Sequence, residues 1–233
     1  MNRKLLIAVA LAAAPLITTG LASNAMATVE LRLTDITTGS TSTIIGAPDV
    51  GGSAVTFNGA VGNWSINLTT GLSSGPGTSI IDLSSIDAKA TTADTLHIQL
   101  SDNGFTTPTS GLALASSGNL VNCAAGTCTA TYNAYFDTGN TLFAETTQID
   151  GPLTSGPLTT GDLYGVSATG SGTSVTPYSL TEDVVLTETA SGAVEWSTDS
   201  SIRGVVPEPA SLTLLGSALV GLGWLGRRRR NAA

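Results

Sequence analysis

Apolar and polar side chains alternate along most of the chain between residues 28 and 206. In TVELRLTDIT, Val29, Leu31 and Leu33 fall on one side and Glu30, Arg32 and Thr34 on the other. NWSINLTT repeats the pattern with Trp64, Ile66 and Leu68, and DTLHIQLSD with Leu96, Ile98 and Leu100. A period of two is the mark of a strand with one face buried. Similar stretches predict strands at 53–57, 79–86, 127–136, 141–149, 162–169, 178–189 and 192–198, separated by turn-rich breaks such as GAPDVGG, SSGPG, SDNG, DTGN and DGPLTSGP. No stretch of this region carries the i, i+3, i+4, i+7 spacing of an amphipathic helix. Short strands at this spacing predict an all-β fold, an antiparallel β-sandwich or jelly-roll-like body. A parallel β-helix would need a regular repeat, and none is present. The composition of 151–161 and 170–177 is the least suited to a packed core.

The two ends depart from this pattern. Arg3 and Lys4 precede an apolar run from Leu5 to Leu16, and Ala25-Met26-Ala27 has the small-x-small form of a signal peptidase site. Residues 1–27 are therefore expected to be a signal peptide cut after Ala27, leaving 28–206 as the exported domain. At the other end, residues 210–226 carry no charge and would span roughly 25 Å as a helix, a little short of a hydrocarbon core of about 30 Å. Arg227, Arg228, Arg229 and Arg230 follow directly and are expected to stay on the cytoplasmic side, which places the domain across the membrane. A single C-terminal transmembrane helix is expected here. Pro207 and Pro209 hold the segment before it extended, so Pro207-Glu208-Pro209 is an accessible peptide beside the bilayer.

The order of these parts, VPEPASLTLLGSALVGLGWLGRRRR, resembles the PEP-CTERM sorting signal of exported Gram-negative proteins. The resemblance covers residues 207–230 and leaves the domain before it uncharacterised. It implies a partner, the membrane-embedded transpeptidase exosortase, and processing near Pro207-Glu208-Pro209. It also implies a destination at the cell envelope, the cell surface or the extracellular matrix, with exopolysaccharide as a further partner.

Charge narrows the remaining possibilities. Residues 28–206 contain three basic and sixteen acidic side chains, a formal charge of −13, because six of the nine basic residues sit in the two ends. Such a surface repels nucleic acid and draws cations diffusely, so no nucleic-acid partner is expected. Cys123 and Cys128 flank AAGT, a turn-forming segment, and in an oxidising compartment they read as a local hairpin disulfide. Two free thiols are the alternative. A structural zinc would need more ligands than two cysteines and the chain's one histidine supply.

Catalytic chemistry finds little support. His97 alternates with Leu96 and Ile98, so it faces away from the core together with Gln99, and no nucleophile of recognisable context accompanies it. Asp82 with Asp87, and Glu182 with Asp183, are the carboxylate pairs that could serve glycoside hydrolysis. The oxygen-rich SDNG and DTGN segments lack the pattern of a calcium loop. Asn63 and Asn67 head matches to a glycosylation sequon inside an expected strand and are read as chance. No catalytic residue, cofactor or metal site is expected. The expected role is that of a non-catalytic surface or matrix protein. A carbohydrate-binding module using Trp64, Trp196, Tyr132 or Tyr135 is the alternative, and a glycoside hydrolase is a weaker one.

Overall fold

A computed structural model describes residues 28–49, 52–75, 77–124, 127–205 and Ser217. The expected signal site at Ala25 and Ala27, Pro207-Glu208-Pro209, the expected transmembrane helix over 210–226 apart from Ser217, and Arg227 to Arg230 lie outside the described residues. Among the described residues no helix is long and apolar enough to cross a membrane.

Thirteen strands follow one another: β1 (Glu30–Asp35), β2 (Thr41–Ile45), β3 (Ala47–Asp49), β4 (Gly52–Val61), β5 (Trp64–Ser73), β6 (Ile80–Ala90), β7 (Asp94–Phe105), β8 (Gly111–Cys123), β9 (Cys128–Asp137), β10 (Thr147–Thr154), β11 (Leu163–Ser171), β12 (Tyr178–Glu188) and β13 (Val194–Val205). They form two antiparallel sheets, one in the order β10-β9-β12-β7-β1-β2, the other in the order β11-β8-β13-β6-β5-β4-β3. The alternating residues supply the space between them. Val29, Leu31, Leu33, Leu96, Ile98 and Leu100 face inward from the first sheet, and Trp64, Ile66 and Leu68 from the second, all of them buried. Each large side chain withdrawn from water in this way contributes roughly 1.5–3 kcal/mol.

Three strands have no counterpart in the alternation. In β8 the inward positions run Leu112, Leu114, Ser116, Gly118, Leu120, so a serine and a glycine break the apolar row. Strand β2 has no buried residue and exists because its backbone pairs with β1, from Glu30↔Ile45 to Thr34↔Thr41. The short β3 pairs with β4 in the same way. The strand expected at 141–149 begins later, at Thr147, and runs to Thr154; the residues before it form a loop across the first sheet.

The last strand, β13, lies inside its sheet. It pairs with β6 from Val194↔Ala90 to Arg203↔Ile80, and with β8 from Val194↔Cys123 to Val205↔Gly111. Both ladders therefore reach almost to the point where the sandwich ends.

The disulfide Cys123–Cys128 closes the passage from β8 to β9, with Cα atoms 6.4 Å apart. The two strands belong to different sheets, so the bond staples the layers together; the hairpin geometry expected from AAGT does not form. Glu188 Oε2 lies 3.1 Å from Cys128 Sγ, and burial raises the Glu188 carboxyl above the usual carboxylate range. A disulfide sulfur has no proton to donate, so a hydrogen bond there requires Glu188 to be the donor.

Candidate functional site

The outward face of the six-stranded sheet carries a polar row. Register places Arg32 of β1 opposite Gln99 of β7, Gln99 opposite Asp183 of β12, and Asp183 opposite Asn133 of β9. Side chains directly opposite on one face are neighbours, and two of these three pairs, Arg32 with Gln99 and Asp183 with Asn133, are joined by hydrogen bonds. Arg32 donates to Gln99 Oε1 from Nε at 2.8 Å and from Nη2 at 2.5 Å. Asn133 Nδ2 donates to Asp183 Oδ2 at 3.1 Å, and Gln148 Nε2 of β10 donates to Asn133 Oδ1 at 3.1 Å. His97 sits diagonally from Asp183 on the same face, with Nε2 apposed to Oδ1. Its side chain is 24% exposed, against 6% for Asp183, so His97 is a half-covered partner of a buried acid, not the exposed strand histidine read from the sequence.

The loop between β9 and β10 completes this face. Asp137 anchors the loop, accepting from Thr141 N at 3.0 Å and Thr146 Oγ1 at 2.8 Å, and the Thr141 bond holds its carboxyl below the usual range. From that anchor the loop lays Phe143 against Arg32, whose guanidinium carbon is 4.1 Å from the ring centre. Glu145 reaches Gln99 Nε2 at 2.7 Å. Tyr135 is half-buried alongside; burial first, then the charges of Asp183 and Glu145, raise its hydroxyl pKa. The segments SDNG and DTGN meet below the loop, where Gly104 N donates to Asn140 Oδ1 at 2.7 Å. Asn103 Nδ2 also donates to the Asn140 carbonyl, at 3.4 Å.

The opposite face, on the seven-stranded sheet, bears an open groove of about 490 Å³ lined by Asp82, Ser117, Ser167, Asp199 and Arg203 among others, with no aromatic side chain. A smaller groove of about 270 Å³ contains Asp87, Lys89 and Glu195. At the floor of the larger groove the buried Ser116 and Ser200 hydrogen-bond at 2.6 Å. Glu182 enters this layer from the other sheet. It is fully buried, and burial, opposed by the neighbouring Ser200 hydroxyl, pushes its pKa up to about 8.

The carboxylate pairs singled out in the sequence separate. Asp82 and Asp87 stand in different grooves, and Glu182 and Asp183 point to opposite faces of β12. Three of the four aromatic residues considered for carbohydrate contact are also removed: Trp64, Trp196 and Tyr132 are fully buried. Tyr132 OH bonds Tyr164 OH and Thr198 Oγ1, both at 2.6 Å, and the Tyr164 ring meets Trp196 edge-on. Inward alternation places these side chains, and the large apolar area of each fixes them there.

The residues after β13 decide the wider assignment. Residues 205–230 match the PEP-CTERM protein-sorting motif. The chain carries a PEP-CTERM sorting signal. This signal marks an exported protein, directed to the cell envelope or surface and recognised by exosortase. No curated protein matches the chain. Among solved structures, similarity is found to a Family 16 carbohydrate-binding module (14% identity, TM-score 0.26, covering 48% of this chain and 72% of that one). The CBM22-1 xylan-binding domain of Paenibacillus barcinonensis Xyn10C is similar at 11% identity and TM-score 0.35, over 66% of this chain and 87% of that one. The N-terminal cellulose-binding domain of Cellulomonas fimi β-1,4-glucanase C is similar at 11% identity and TM-score 0.33, over 63% and 91%. At these TM-scores no property of those proteins is carried over.

Proposed function

We propose that this chain is a non-catalytic protein of the cell surface or extracellular matrix, an acidic β-sandwich cargo delivered by exosortase acting on its C-terminal signal. The observation behind this reading is a boundary. Strand β13 ends at Val205, and the sorting motif begins at residue 205. Cleavage at or after Pro207-Glu208-Pro209 therefore removes no residue from the sheet, and the sandwich stays whole on whatever it is transferred to. The formal charge of −13 over residues 28–206 suits a component of a hydrated, cation-bridged matrix. Residues 1–27 act as a cleaved signal peptide in this reading, and 210–226 as the membrane-held helix that presents the motif.

The test is the intact mass of the mature protein from its native host and from a strain lacking exosortase. Loss of the tail near Pro207-Glu208-Pro209 only in the presence of the enzyme establishes sorting, and any added mass identifies the attachment. A tail that persists through Arg230 in both strains overturns the proposal and makes 210–226 an ordinary membrane anchor.

A further inference from the structure

On the outward face of the six-stranded sheet one imidazole and two carboxylates converge. His97, Glu145 and Asp183 each direct a ligand atom to the same place, and these atoms all lie within 4.8 Å of one another. They come from β7, from the loop after β9 and from β12, so only the folded sheet assembles them.

Two features set this cluster apart from a chance grouping of surface acids. Asp183 is 5% exposed, and its Oδ1 is paired with His97 Nε2 alone. His97 Nε2 in turn meets no other acceptor, so the pair is closed on itself. A buried carboxylate oxygen and an imidazole nitrogen held in contact, with no other partner for either, offer two ligand atoms to an ion that parts them. The second feature is the outer ring of amides. Asn133 holds the other oxygen of Asp183 at 3.1 Å, and Gln99 holds Glu145 Oε1 at 2.7 Å. Gln148 orients Asn133, and Arg32 orients Gln99, with the guanidinium stacked on Phe143. Partners of this kind fix the direction of ligating groups and raise their affinity.

We propose that His97 Nε2, Asp183 Oδ1 and a carboxylate oxygen of Glu145 bind a divalent transition-metal ion of the zinc class, with a further coordination position open to solvent. The donor set decides the class. Calcium and magnesium take shells of six or more oxygens, whereas an imidazole with two carboxylates suits zinc and its neighbours. Because the two atoms are in contact, binding must part them: the imidazole ligates through an unprotonated Nε2, any proton there passing to solvent, and the ion bridges nitrogen and oxygen. The other mixed cluster of the described residues, Cys123, Cys128 and Glu188, cannot compete while its sulfurs are joined.

The experiment is a calorimetric titration of tag-free full-length protein with Zn²⁺, in physiological salt with excess Mg²⁺ to occupy diffuse acidic sites. Wild type is compared with His97→Ala, Asp183→Asn and Asn133→Ala. One ion per chain is expected, with affinity reduced at least about tenfold in each variant. Binding that His97→Ala leaves unchanged overturns the proposal. Because the chain has one histidine, its imidazole resonances are unambiguous in a nitrogen-labelled sample. They should shift on addition of Zn²⁺ to wild type. If they do not move at saturating Zn²⁺ the site is wrong, and this result stands even where a variant fails to fold.

Discussion

Asn133 Nδ2 donates to Asp183 Oδ2 at 3.1 Å across the β9–β12 ladder, and both side chains are buried on the outer face of the sheet. Asn133 is the amide donor to that buried oxygen, and nothing replaces it if the side chain is removed. Replacing Asn133 by Ala should lower stability by about 1–3 kcal/mol, the range for a charge-assisted bond lost in a buried site. In a urea-denaturation cycle with Asp183→Asn, a coupling above about 0.5 kcal/mol is expected. Strict additivity would mean that the contact carries no energy.

Trp64 and Trp196 are the largest fully buried side chains of the seven-stranded sheet. Trp64→Ala should cost about 3–5 kcal/mol by leaving a cavity between the sheets. The loss should appear in the denaturation midpoint. A variant that unfolds like wild type would show that the ring is not part of the core.

Glu182 links stability to pH. Its folded value of about 8 lies above the ordinary 4.5, so folding takes up a proton between the two. Stability from this group is fully present below pH 4.5 and is lost as pH rises toward 8, by about 1.4 kcal/mol per unit. Burial shifts Asp102 and Glu188 in the same direction. Asp35 and Asp137 are shifted downward and act oppositely: their contribution is present above the usual carboxylate range and is lost in stronger acid. Maximum stability is therefore expected on the acid side of neutrality, near the ordinary carboxylate values. Denaturation at pH 5, 7 and 9 should show a decline that Glu182→Gln largely removes. Equal slopes in the two proteins would contradict the assignment.

Converting both Cys123 and Cys128 to Ser opens the staple between the sheets. The loop it closes is short, so the expected loss is about 2 kcal/mol. Calorimetric melting of the full chain measures it, and an unchanged transition would mean that the two layers need no covalent link at this end.

The sandwich was legible because its best strands alternate cleanly: Leu31 and Leu33, Ile66 and Leu68, and Ile98 and Leu100 all face inward as their spacing requires. Strand β8 was not, since Ser116 and Gly118 occupy inward positions and erase the period. The polar row was legible only in fragments. Alternation puts Arg32, His97 and Gln99 on outer faces, but Asn133, Glu145, Gln148 and Asp183 are scattered along the chain with no spacing to join them. Register between non-consecutive strands creates their contacts, and register of that kind is absent from local pattern. Glu182 shows the opposite limit. Beside Asp183 it reads as half of an acidic pair, yet the pleat sends the two to opposite faces, one into the core and one out of it.

The position of β13 has a mechanical consequence. A domain fastened by its C-terminus to the envelope is pulled along the axis of its last strand when the surroundings flow. Here that strand is gripped by β6 on one side and β8 on the other. Tension applied at Val205 loads both ladders in shear, so many hydrogen bonds must yield together, where an edge strand peeled from its hairpin would release them one at a time. If sorting leaves the domain tethered by this end, the load falls on a central strand and not on an edge.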